Sequence, residues 1–129
     1  MRSDSAQPLT DPLAIKRKRT HADLKKAVMT ACNRLPGVFL FPSGSGAFKI
    51  GGRFIRMGMV GVSDLVGWRQ TTDGIHPAGP LVPRFVALEI KIGKDALSPE
   101  QAAFLQRVRG AGGIGLEIRS VEDAVKALS

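Results

Sequence analysis

The stretch FVALEIKI, Phe85–Ile92, constrains the fold more than any other part of this chain. Successive side chains on a strand point to opposite faces. Val86, Leu88, Ile90 and Ile92 therefore form one wholly apolar face, which needs a layer packed against it. Phe85, Ala87, Glu89 and Lys91 form the other. An acid and a base thus stand side by side on a strand apolar enough for an interior. Either they make an ion pair on a half-solvated surface, or the fold holds them there for chemistry.

The neighbouring segments define the class. Thr20 is placed to cap a helix with Asp23 three residues on, and Leu24, Ala27, Val28, Ala31 and Leu35 then form one apolar stripe ending at Pro36-Gly37. VFLF reads as a short buried strand, and a Gly/Ser segment separates it from a further strand through RFIRM. GMVGVSDLVGW reads as a strand centred on Asp64–Val66, with a long excursion over residues 69–84. After Ile92, Ser98, Pro99 and Gln101 open a second helix with a capping box. IGLEIRS is a final strand, and Ser120 with Asp123 starts a last helix bearing Val121, Ala124, Val125 and Leu128. Hairpins combined with one helical crossover predict an α/β fold with a mixed sheet.

Charge is distributed unevenly. Residues 1–60 hold eleven Lys/Arg against three acids, whereas residues 61–129 hold eight of each, so the net +8 lies in the first half. The run Lys16, Arg17, Lys18, Arg19 belongs to an aperiodic basic arm over residues 1–19, followed by one domain over 20–129. A polyanion such as nucleic acid is the natural partner for this asymmetry, with a solubilising tail as the plainer reading. The single cysteine, Cys32, can form no internal disulfide, and no apolar run is long enough to span a bilayer. A cytoplasmic protein with no membrane association is expected. A phosphate-binding P-loop is not supported, since IGKD lacks the upstream glycine and the following hydroxyl residue. Cys32, His21 and His76 are too few for a zinc site.

Asp64 gives the Glu89–Lys91 pair a chemical context. An antiparallel hairpin centred between His76 and Pro77 would set Asp64 opposite Glu89. Two facing carboxylates repel unless a cation sits between them, and hard oxygen ligands suit Mg2+ or Mn2+. The carbonyl of Ile90 is a candidate third ligand. Gln101 shares a helix face with Phe104, Leu105 and Val108. It serves either as a capping-box member or as a polar group aimed at the site.

GVSDLVG, ALEIKIGKDALSPEQAAFLQRVRGAGG and SVEDAVKAL together resemble the VRR-NUC domains of the PD-(D/E)xK nuclease superfamily, over roughly Thr20 to Leu128. The resemblance implies a restriction-endonuclease-like core and metal-dependent cleavage of phosphodiesters. It implies Asp64 and Glu89 as metal ligands, Lys91 as the charged partner of phosphate and water, and Gln101 as a supporting catalytic residue. Free-standing bacterial and phage members are similar to homodimeric enzymes that resolve four-way (Holliday) junctions. The chain departs from the pattern at its first helix, where HADLK puts His21 at a position usually held by glutamate. His21 could contribute to the site, Asp23 could substitute, or the role could be lost. The expected function is a Mg2+- or Mn2+-dependent endodeoxyribonuclease on branched or duplex DNA, with Lys16–Arg19, Lys49, Arg53, Arg56 and Lys94 as DNA contacts. The alternative is a basic nucleic-acid-binding or assembly module on the same fold, with weak or no catalysis.

Overall fold

In a computed structural model, which describes residues 19–44, 46–72 and 79–129, Thr20 opens the first helix as its composition predicts. Its hydroxyl accepts the Asp23 N–H, and the Asp23 carboxylate accepts the Thr20 N–H. This helix, α1 (His21–Cys32), buries Leu24, Val28 and Cys32. It stops short of the expected Pro36-Gly37 breaker because Asn33 takes over. The Asn33 amide donates to the Leu40 carbonyl at 3.0 Å and accepts the Leu40 N–H at 2.7 Å, clamping the entry to the next strand.

That strand, β1 (Val38–Pro42), is not buried on both faces as expected. Only Val38 and Leu40 point into the core, while Phe39 and Phe41 face outward. The Gly/Ser segment contains a strand that the sequence did not reveal, β2 (Gly46–Ile50). It pairs antiparallel with β3 (Arg53–Met57) as a separate two-stranded sheet. Gly51 and Gly52 both have positive φ, 59° and 80°, as tight hairpin turns require.

The central hairpin is longer than expected. β4 (Leu65–Thr72) pairs over its whole length with Leu81–Leu88 of β5 (Leu81–Ile90), so only residues 73–80 connect them. His76 lies in that connection, outside the described residues. Pro83 is tolerated because β5 has a second neighbour only from Val86 onward, so the amide missing at Pro83 costs no ladder bond on that side. α2 (Pro99–Gly110) then crosses over to β6 (Ile114–Ile118), which runs parallel to β5, and α3 (Val121–Leu128) ends the chain.

The four-stranded sheet has the order β1-β4-β5-β6 and is mixed, as predicted. α1 and α3 cover one face, where Leu24, Val28, Ala124 and Leu128 meet Leu40, Leu65, Val86, Leu88, Ile90 and Ile118. α2 covers part of the other face, packing Leu105 and Val108 on Val66 and Ala87. Burial of Val86–Ile90 on both faces explains the near-continuous apolar sequence of that half of β5, whereas Leu81–Phe85 are exposed. This is an α/β architecture with a restriction-endonuclease-like core. Among the described residues, no helix is long and apolar enough to cross a membrane.

Candidate active site

The β4–β5 register decides the site. Leu65 lies opposite Leu88, so the next residue outward on each strand is Asp64 on one side and Glu89 on the other. Asp64 itself sits just before β4 rather than inside a strand. Its carbonyl still accepts the Ser43 N–H at 3.1 Å, which ties this edge to the end of β1. Its carboxylate is held from two directions. Oδ2 accepts the Ile90 N–H at 2.8 Å and lies 3.2 Å from His21 Nε2.

Glu89 is only 3% exposed. Its Oε2 accepts a hydrogen bond from Gln101 Nε2 at 3.1 Å and lies 3.6 Å from Lys91 Nζ. Its Oε1 is buried and, among the described residues, accepts no hydrogen bond. An unpaired buried carboxylate oxygen costs free energy unless something completes its shell. Burial pushes the Glu89 carboxyl up to about 8, and the charge of Asp64 and a hydrogen bond with it add to the rise. Lys91 opposes these effects without cancelling them. Burial and the Asp64 charge beside it thus hold the Glu89 carboxyl toward its protonated form at neutral pH.

Gln101 fulfils both of the roles that its sequence left open. Its Oε1 accepts the Ser98 N–H at 2.9 Å, and its N–H is capped in return by the Ser98 hydroxyl. That bond fixes the amide orientation and leaves Nε2 aimed at Glu89. α2 is itself positioned by Gly61, which has a φ of 85°. A Cβ at Gly61 would lie 2.6 Å from the Glu100 carbonyl, so the backbone leading to Asp64 presses directly on the first turn of α2.

The structure thus brings together Asp64, Glu89, Lys91, Gln101 and His21. At Ile90, the group seen to touch the site is the amide rather than the carbonyl considered from sequence. Sequence reasoning had no signal for this amide. It also had none for Ser63, which is fully buried beside Asp64 with a hydroxyl that has no partner among the described residues. Asp23 is engaged in the α1 cap.

The basic candidates are more scattered. Lys49 and Arg53 flank the turn of the β2–β3 hairpin, and Lys49 Nζ lies 6.0 Å from the centre of the Phe54 ring. Arg56 belongs to β3, and Lys94 is exposed in the turn after β5. Arg19 is exposed before α1, whereas Lys16, Arg17 and Lys18 lie outside the described residues.

Asp64 and Glu89 offer hard oxygen donors of the kind that suits Mg2+ or Mn2+, and the unpartnered Glu89 Oε1 fits such an ion. Among the described residues, no group of three or more His, Cys, Asp or Glu side chains is arranged to hold a metal. Any ion here would complete its shell with water, backbone or substrate oxygens, as Mg2+ commonly does.

Comparison with curated proteins gave no match, and comparison with solved structures gave none. The family model for the VRR-NUC domain matches residues 43–122. That span runs from the end of β1 into α3 and contains Asp64, Glu89, Lys91 and Gln101, but not His21. With this match covering most of the chain, and with the ends of β4 and β5 and the start of α2 bringing those four side chains together, the chain belongs to the VRR-NUC domain family and has a nuclease-type function.

Proposed function

We propose that this chain is a Mg2+- or Mn2+-dependent endodeoxyribonuclease selective for branched DNA such as four-way junctions. The observation that carries the reading is Glu89, buried beside Asp64 with one carboxylate oxygen that accepts no hydrogen bond among the described residues. A fold retains such a group where an ion and a phosphate complete its surroundings.

Asp64 and Glu89 would hold the ion, with the Ile90 carbonyl as a candidate third ligand. When bound, the ion supplies Lewis acidity and lowers the pKa of water. The chain's own residues do the rest. Gln101 keeps Glu89 Oε2 engaged, which leaves Oε1 as the oxygen available to an ion. Lys91 puts a fixed positive charge beside the same carboxylate, where negative charge develops on the phosphate oxygens. His21 orients Asp64, in place of a first-helix acid. Cutting both arms of a four-way junction symmetrically requires two such sites, so the active form is a two-fold homodimer.

The deciding test is cleavage of four-way junction, flap, nicked and linear DNA with Mg2+ or Mn2+, and with chelator as control. Metal-dependent cutting that favours the junction supports the proposal. Tight DNA binding without cutting in either metal would favour a binding module. His21 in place of an acid is the observation that motivates this second reading.

A further inference from the structure

The sheet face that carries Glu89 continues into an aromatic surface that α2 leaves uncovered. Phe39 lies opposite Trp68, and Trp68 opposite Phe85, so the three side chains form one row across β1, β4 and β5. Phe41 lies beside the row, with Phe39 5.1 Å from Trp68 and 5.9 Å from Phe41 between ring centres. Phe39, Trp68 and Phe85 remain 47%, 39% and 46% exposed. Phe85 and Glu89 share a strand face four residues apart, about 13 Å along β5. The row thus lies within a few nucleotides' reach of the carboxylates.

Charge favours a polyanion here. β1 and β4 carry no acidic residue, and Glu89 is the only one on β5. Beyond Phe85 the face opens into a cleft of about 550 Å³, lined by Phe85, Phe104, Arg84 and Arg107 among others and, among the described residues, by no acidic side chain. Arg84 donates its Nε–H to the Gly112 carbonyl, which holds the guanidinium at the cleft wall. Flat rings followed by arginines match a nucleobase and its phosphate in turn.

We propose that the Phe39–Trp68–Phe85 row is a stacking platform for unpaired nucleobases of the DNA strand leading to Glu89, and that the Arg84–Arg107 cleft takes a flanking nucleotide. The inference rests on the nuclease reading and adds a substrate requirement to it: a stretch of single strand beside the cut. Branch points supply such unpaired nucleotides, whereas blunt duplex does not.

Trp68 is the only tryptophan, so intrinsic fluorescence reports on the platform directly. The full chain, in chelator to prevent cutting, is titrated with single-stranded oligodeoxynucleotide, blunt duplex and heparin, while labelled-DNA anisotropy follows binding in parallel. The single strand should quench Trp68 emission as it binds, and duplex and heparin should bind without comparable quenching. Phe39→Ala and Phe85→Ala should each weaken single-strand binding by roughly 5- to 100-fold, the range expected for one stacked base. Their effect on blunt duplex should be much smaller. Unchanged emission at saturating single strand would overturn the platform, as would equal quenching by heparin. Free-protein emission already shielded from acrylamide would also overturn it, because a second copy or residues 1–18 would then cover the face. Because nothing is cut in these titrations, they are independent of the cleavage assay. Quenching without nuclease activity would sink only the catalytic reading, and cutting without quenching only the platform.

Discussion

Gln101 donates to Glu89 Oε2 with one end of its amide while the other end caps its own helix at Ser98. Fold and site therefore share one side chain. Gln101→Ala should lose the reciprocal bond of the capping box, about 0.5–1.5 kcal/mol of stability, and lower activity as well. Gln101→Glu keeps the capping acceptor but sets a carboxylate against Glu89. Thermal melts close to the parent's, together with reduced kcat, would identify the contact with Glu89 as the functional one. Parental kcat in Gln101→Glu would reduce Gln101 to a cap.

Glu89 titrates against the fold. Its carboxyl is near the ordinary value of 4.5 when unfolded and about 8 in the native metal-free chain. Between these values the native state binds the extra proton, so this group's contribution to stability falls as pH rises from about 4.5 to 8. Glu89→Gln should abolish cutting and remove that loss. In chelator, its melting temperature should exceed the parent's most at pH 8–9 and converge with it near pH 5. A gap of constant size across that range would contradict the assignment.

Metal binding must displace the same proton. Mg2+ or Mn2+ affinity should therefore rise by about tenfold per pH unit on approaching pH 8 and then level off. Calorimetry in two buffers of different ionisation enthalpy would count the proton released. No release at pH 7 would mean that the ion does not engage Glu89.

Lys91 lies beside the carboxylate oxygen that Gln101 also touches. Lys91→Ala should lose about 10²- to 10³-fold in kcat, as expected for one group positioned at developing charge. Its DNA affinity should change much less. A loss confined to KM would make Lys91 a binding contact instead.

His21 contacts Asp64 from the start of α1, outside the span shared with the family model. His21→Ala should keep the fold, since the Thr20–Asp23 cap survives, and should cost roughly 10–100-fold in metal affinity or activity. Asp64→Ala should abolish cutting. Full activity in His21→Ala would leave the first helix without a chemical role.

The arm Lys16–Arg19 is tested by salt. Each phosphate contact contributes about 0.9 to the slope of log K against log salt on duplex DNA. Replacing these four residues with alanine should flatten that slope by about two to four units, with little effect on kcat at saturating DNA and low salt. An unchanged slope would move the DNA track to Lys49, Arg53 and Lys94.

The carboxylate pairing was legible in the sequence because two strongly apolar strands on either side of one connection permit few registers. A shift of one residue would turn every core side chain outward. The capping boxes at Thr20 and Ser98 were legible for a similar reason, since their hydrogen bonds are local. What escaped depended on long-range contacts. β2 is hidden in glycine- and serine-rich sequence and is defined by pairing with β3. The strand over Leu81–Arg84 is broken by Pro83 in sequence but tolerated beside an unpaired edge. The Ile90 amide is invisible because every residue except proline has one. The outward aromatics of β1 read as core until the extent of α2 is known.

Gly61 bears no charge and touches no part of the site, yet the distance between Asp64 and the helix carrying Gln101 depends on its having no side chain. A methyl group there would be strained by the positive φ and would meet the Glu100 backbone. The helix would have to lift, and Nε2 would draw away from Glu89. A lineage of such proteins could therefore lose its chemistry while every acidic and basic residue stayed in place, through drift at one glycine that an inventory of reactive groups would pass over.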